Sequence, residues 1–243
     1  PAEWHSHRVI QVDQCLLQHE SVNKALRFFN DMLAGYDRCA RWSNLVCRVN
    51  MAGELMLILC GSSPMTDAVK DCATNLSSLL PELISFYYVQ QRPRPTQALD
   101  GRCIHIWGDP VLEESLCGLR FSVSPQSFFQ VNTPAAEKLY RVVSEYAAVQ
   151  PNDVVLDLYC GMGTIGLSIA AGCHQLIGGE IVPEAVESAK RNAAAMGLSN
   201  TRFLCGDAGS IAQTLCREKV HPNLIILDPP RRGCSPETLQ AVQ

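Results

Sequence analysis

The 243-residue sequence predicts an α/β protein, a small α+β unit followed by a doubly wound parallel sheet. Three observations carry that expectation. From Val154 onward, apolar strand-like runs and helical patterns alternate strictly as far as Leu227. The first of these runs leads into a glycine-rich turn, Gly161-Met162-Gly163-Thr164-Ile165-Gly166. The last closes on Asp228-Pro229-Pro230-Arg231-Arg232-Gly233. Its prolines can neither continue a helix nor donate to a sheet ladder, so they force a rigid turn where open α/β sheets bind ligands.

In order along the chain, Ser21 to Leu33 has helical periodicity, and Leu45 to Leu59 reads as two strands around the turn Ala52-Gly53. Asp67 to Leu80 is again helical and Ile84 to Val89 strand-like, giving α-β-β-α-β. The stretch Gln91-Arg92-Pro93-Arg94-Pro95 reads as an exposed linker, with a phosphate-contacting loop as the alternative. Leu119 to Val123 is a strand, and Thr133-Pro134 starts a helix that runs to about Val149. Then come strand Val154–Tyr159, helix Thr164–Ala171, strand Leu176–Ile181 and helix Pro183–Met196. Strand Arg202–Cys205, helix Ile211–Glu218 and strand Leu224–Leu227 complete the series. These alternations imply βαβ units with helices on both faces. Four such strands are fewer than a doubly wound sheet normally holds, so its C-terminal strands are expected to be missing. The expected domains are residues 1–117 and residues 118–243.

Composition narrows the classes. A chain that is 47% hydrophobic and 18% charged is an ordinary globular protein. No apolar run approaches the roughly 18–20 residues that span a bilayer, so no membrane partner is expected. The chain begins at Pro1 rather than Met, which suggests a cropped or processed amino terminus. A net charge of −4 does not announce a nucleic-acid binder, though a local basic patch can still hold RNA. The twelve cysteines include no Cys-x-x-Cys pair, which argues for free thiols in an intracellular protein rather than for a metal site or disulfide framework. Cys60 and Cys205, inside apolar runs, read as small buried hydrophobes.

The chemistry lies at the strand ends. Gly161, Gly163 and Gly166 have the Gly-x-Gly-x-x-Gly spacing of a dinucleotide loop, and Glu180 follows the first glycine by about 20 residues, where a ribose-binding acid belongs. A nicotinamide oxidoreductase therefore fits these two motifs nearly as well as a methyltransferase does. Asp157, just before the loop, tips the balance, since a carboxylate opposes a pyrophosphate at the helix N-terminus. Asp207 and Asp228 end the next two strands. Four acids, Asp157, Glu180, Asp207 and Asp228, would line a cleft suited to a cationic cofactor such as S-adenosylmethionine, with Asp207 near the adenine amino group.

Ser124-Pro125-Gln126-Ser127-Phe128-Phe129-Gln130-Val131-Asn132, Asp157–Gly166, Gly179-Glu180, Glu184-Ala185-Val186 with Asn192, and Asp228–Gly233, in that order, resemble the RNA uracil-5-methyltransferase family. That family includes tRNA 5-methyluridine-54 enzymes and ribosomal-RNA relatives, and it is of the class I, Rossmann-like kind. The resemblance is strong from Leu119 to Gly233 and loose before that. It implies that Gln130, Tyr159, Thr164, Glu180 and Asp228 line the S-adenosylmethionine site, with Glu180 on the ribose hydroxyls and Tyr159 and Thr164 walling the methionine end. Asp157, Gly161, Gly163 and Asp207 are second choices. Phe128 and Gln130 would face a uracil base, one by stacking and one through its amide.

The resemblance also implies a covalent mechanism, in which a cysteine thiolate adds to uracil C6 and a glutamate base later removes the C5 proton. Those two residues are expected beyond Gln243, so the 243 residues by themselves are expected to be inactive. Cys234 does not match the family's nucleophile position, and Cys160 reads as packing. With no iron–sulfur cysteine cluster and no amino-terminal β-barrel visible, tRNA is the favoured substrate. The open alternative is a catalytically silent RNA-binding or folding protein on the same scaffold. Oligomeric state and compartment, cytosol, nucleus or mitochondrion, stay open.

Overall fold

The computed structural model describes residues 12, 14–35, 42–231 and 233–242. The chain divides into two compact units, Pro1–Leu112 and Glu113–Gln243. That division precedes the boundary expected at residue 117, because the residues after Leu112 form a strand that pairs forward in the chain.

In the first unit, α1 (Glu20–Gly35), β1 (Trp42–Val49), β2 (Leu55–Gly61), α2 (Asp67–Leu79), β3 (Leu83–Gln91) and β4 (Gly101–Gly108) make a four-stranded sheet of order β1-β2-β3-β4. The inner pair is parallel and the outer pairs antiparallel. A parallel pair needs a crossover, and α2 supplies it. The apolar run of β2 is buried at every residue, as an interior strand demands. Leu55, Leu57 and Leu59 join Phe86 and Tyr88 of β3, Ala25 and Phe29 of α1, and Val69, Cys72 and Leu76 of α2 in one core. Cutting a wholly buried Leu57 to Ala would cost about 2–5 kcal/mol. Strand β4 adds to the expected α-β-β-α-β order. It is a half-buried edge strand bounded by glycines, so its sequence lacks the alternation that betrays a strand.

The second unit opens with a hairpin of β5 (Leu112–Leu116) and β6 (Leu119–Val123). Cys117 and Gly118, at φ of 54° and 76°, make its two-residue turn. Next comes α3 (Thr133–Ala147), whose N-cap Asn132 accepts from the Ala135 N–H at 3.1 Å. The alternating part is β7 (Val154–Leu158), α4 (Thr164–Ile169), β8 (Gln175–Glu180), α5 (Pro183–Ala195), β9 (Thr201–Cys205), α6 (Ala208–Arg217) and β10 (Leu224–Leu227). A short α7 (Pro236–Ala241) follows. All four strands are parallel, in the order β10-β7-β8-β9.

Two expectations need correction. Strand β10 is not a buried strand: it lies at the edge of the described sheet, and Ile225 and Leu227 remain exposed. Cys60 is buried as expected, but Cys205 is exposed, because β9 is the opposite edge and Cys205 its last residue. At the centre of the sheet, Gly178 of β8 is needed for room. A Cβ there would lie 2.5 Å from the Phe203 ring and 3.0 Å from Cys160 Sγ.

Candidate functional site

Strand β7 is the switch point of the parallel sheet. Its neighbour on one side, β8, follows it directly in sequence, and on the other side is β10, the last strand of the series. Ligands bind at such points, beyond the carboxyl ends of the strands. Register places the expected residues there: Leu158 pairs with Leu227 and with Gly179, so Tyr159 emerges between Asp228 and Glu180. The Asp-Pro-Pro turn is closed by the Gly233 N–H donating to the Pro230 carbonyl at 2.7 Å. Asp228 is exposed there. Arg232 lies outside the described residues.

The glycine loop is held from behind by carboxylates. The Gly161 N–H donates to Glu180 Oε2 at 3.0 Å, and the Gly166 N–H to Asp157 Oδ2 at 3.0 Å. The second oxygen of Glu180 takes the Val182 N–H at 2.9 Å. Gly163 at φ 84° caps α4, a conformation that a side chain would strain. Gly166 serves close packing instead, because a Cβ would come within 2.8 Å of Asp157 Oδ2. Tyr159 holds a left-handed φ of 66° without being glycine, the kind of local strain that persists only where surrounding structure enforces it.

Asp157 is 1% exposed and its Oδ1 has no hydrogen-bond partner. Burial pushes its carboxyl up to about 7, opposed by the Gly166 N–H and reinforced by the charges of Asp228 and Glu180. A half-satisfied buried acid beside two other carboxylates leaves a local excess of negative potential. Burial also raises the Cys160 thiol far above its ordinary value, with Asp157 and Glu180 adding to the effect, so this loop cysteine packs rather than reacts.

The segment between β6 and α3 is pinned by hydroxyls, with Ser124 Oγ 2.7 Å from Ser127 Oγ, which in turn lies 3.4 Å from Ser188 Oγ of α5. Phe129 packs inward against Phe121, centroids 6.3 Å apart, whereas Phe128 is 71% exposed and free to stack. Gln130 is half-buried. Asp207 is exposed and caps α6, accepting from the Ser210 N–H at 3.0 Å, which gives its carboxylate a structural task. Among the described residues no cluster of three or more potential ligands could hold a metal ion, and no helix is long and apolar enough to cross a membrane.

Two residues escaped the sequence reading. Asn192, buried in α5, accepts from the Ser122 N–H at 3.0 Å and donates to the Met162 carbonyl at 3.3 Å, tying β6 to the glycine loop. Tyr140 of α3 is 3% exposed, and its hydroxyl lies 2.8 Å from Thr164 Oγ1. Its spacing from Thr133 and Ala136 marks only a buried helix face, so nothing local distinguishes it from core. A cavity of about 430 Å³, bounded by Cys117, Glu137, Arg141 and Ser168, shares Tyr140 with the site but none of the four acids.

Comparison with known proteins agrees with this geometry. Residues 150–231 match the family model of a methyltransferase domain, which is the class that the fold and the strand-end site define. A protein of Enterococcus faecalis named as an uncharacterized RNA methyltransferase is 30% identical over 98% of this chain, which covers 54% of that protein. One of Caldanaerobacter subterraneus with the same kind of name is 34% identical over 98% of the chain, covering 55% of that relative. The resemblance to RNA methyltransferases carried by the motifs is thereby shown along nearly the whole chain. The chain spans about half the length of the curated relatives it matches. The tRNA (uracil-54, C5)-methyltransferase of Pyrococcus abyssi, solved with S-adenosyl-L-homocysteine, superposes with a TM-score of 0.76 at 22% identity, covering 97% of this chain and 57% of that one. That likeness supports the Rossmann-like methyltransferase fold.

Proposed function

We propose that the protein is an S-adenosylmethionine-dependent RNA methyltransferase that forms 5-methyluridine, with tRNA as its substrate. The observation that carries the reading is the commitment of the Gly161 and Gly166 N–H groups to Glu180 and Asp157. A pyrophosphate needs such donors free and meets two carboxylates instead. A ligand without phosphate and with a sulfonium and an ammonium suits the same surface. The unpartnered Asp157 Oδ1 is a further sign that the site fits a cation.

In this reading Glu180 accepts from the ribose hydroxyls with the lone pairs that Gly161 and Val182 leave free. Tyr159 and Thr164 bound the methionine end, and Asp228 forms the cofactor-side wall. Exposed Phe128 stacks on a uracil turned out of its RNA strand while the Gln130 amide reads the base edge. The bound cofactor supplies an electrophilic methyl group. Activation of uracil C5 falls to a cysteine thiolate adding at C6, and the chain's own thiols do not serve: Cys160 is buried and held protonated, and Cys234 stands in a loop after the turn. Methyl transfer by these 243 residues alone is therefore not expected.

The comparison proteins support this choice. The fold neighbour from Pyrococcus abyssi acts on tRNA uracil-54, and the relatives are named for RNA. Calorimetry is the direct test: S-adenosylhomocysteine should bind and NADH should not, with binding lost in Glu180→Ala. Labelled-methyl transfer to tRNA by the protein with its natural C-terminal continuation, followed by nucleoside analysis, should give 5-methyluridine. Methylation at any other atom would refute the uracil-5 assignment.

A further inference from the structure

We infer that Tyr140 is a positioning residue of the cofactor site, its hydroxyl fixing the direction in which Thr164 offers its own proton to the ligand's amino-acid carboxylate. The inference rests on the proposed S-adenosylmethionine reading. Among the described residues, Thr164 is the hydrogen-bond partner of the Tyr140 hydroxyl, at 2.8 Å. Tyr140 is 3% exposed, and a buried donor left without an acceptor is costly. The phenol therefore donates to Thr164 Oγ1. Burial raises the phenol above its ordinary value, and the charges of Asp228 and Asp157 add to the rise, so it stays protonated and keeps that role. The Thr164 proton is then free for a partner outside the pair.

The surroundings give that proton a use. Thr164 is half-buried at the start of α4, directly after Gly163, in the loop that Glu180 and Asp157 hold from behind. Carboxylates favour a ligand's sulfonium and ammonium but repel the carboxylate on the same amino-acid end. A hydroxyl donor held in one direction offsets that repulsion, and only a ligand with the carboxylate profits from it. Tyr140 touches the ligand through Thr164 and is not itself catalytic.

The test measures binding of S-adenosylhomocysteine and of 5′-methylthioadenosine, which lacks the amino-acid part. Tyr140→Phe keeps the ring in its core position and removes the hydroxyl. It should weaken S-adenosylhomocysteine roughly three- to tenfold, the range of one hydrogen bond, and leave methylthioadenosine unchanged. In a Thr164→Val background the same substitution should have no further effect. In Thr164→Ser, which restores a hydroxyl, the dependence on Tyr140 should return. Equal losses for both ligands, or a Tyr140→Phe effect that persists in Thr164→Val, would show a merely structural role and overturn the inference. Unchanged binding by Tyr140→Phe would overturn it while leaving the functional reading intact. Failure of the unaltered protein to bind either ligand would refute both.

Discussion

Asp157 is the residue on which the site's electrostatics turn. Its carboxyl, lifted to about 7 by burial, lies above the ordinary 3.8, so the folded protein holds an extra proton between those two values. Stability should therefore decline as pH rises from about 4 to 7 and level off above, by up to about 4 kcal/mol. Asp157→Asn should remove that slope, and urea melts at about pH 5 and pH 8 would show it. Parallel profiles for the two proteins would mean that Asp157 ionises as easily folded as unfolded. The same proton competes with a cationic ligand, so affinity for S-adenosylmethionine should rise between about pH 6 and pH 8 and become flat in Asp157→Asn. Glu180 acts differently, through geometry: its two oxygens hold the Gly161 and Val182 N–H groups. Glu180→Gln can accept only one of those bonds, so cofactor affinity should fall about tenfold, read by titration calorimetry, on the loss of one charge-assisted bond.

At the scale of elements, the site depends on how β6, α5 and β8 brace the loop. Asn192→Ala strands the Ser122 N–H and the Met162 carbonyl, and thermal or urea melts should register a loss of about 2–4 kcal/mol. Gly178→Ala forces a methyl against the Phe203 ring, with an expected cost of about 1–3 kcal/mol in the same assay. The sequence made most of these elements legible, because Leu156, Ile177 and Phe203 sit in short apolar runs separated by helical spacings. It hid β4, β5 and α7. Strand β4 is half-buried at an edge, β5 alternates Leu112, Glu114 and Leu116 with only five residues, and α7 spans six. Periodicity needs longer segments or deeper burial to stand out from loop.

For the molecule as a whole, a ligand that binds only the folded second unit must stabilise it. At about a hundred times its dissociation constant, S-adenosylhomocysteine should add about 3 kcal/mol to the unfolding of residues 113–243. The corresponding rise in that unit's melting temperature is about 5–15 °C, and NADH at equal concentration should give none. A rise with NADH alone would restore the dinucleotide reading. The sequence by itself determined the alternating strands and helices, the glycine loop, and the acids Asp157, Glu180 and Asp228 at strand ends, because each is a local pattern of polarity and turn chemistry. Tertiary structure decided what those residues do. Only the strand order put Asp228 and Glu180 on either side of Tyr159. Only packing showed that Asp157 is buried with one oxygen unpartnered, that Asp207 caps a helix, and that Phe129 rather than Phe128 fills the core. Burial, charge proximity and hydrogen bonding between residues far apart in the chain are properties of the folded arrangement. The link from Tyr140 to Thr164, 24 residues apart in sequence, is of that kind.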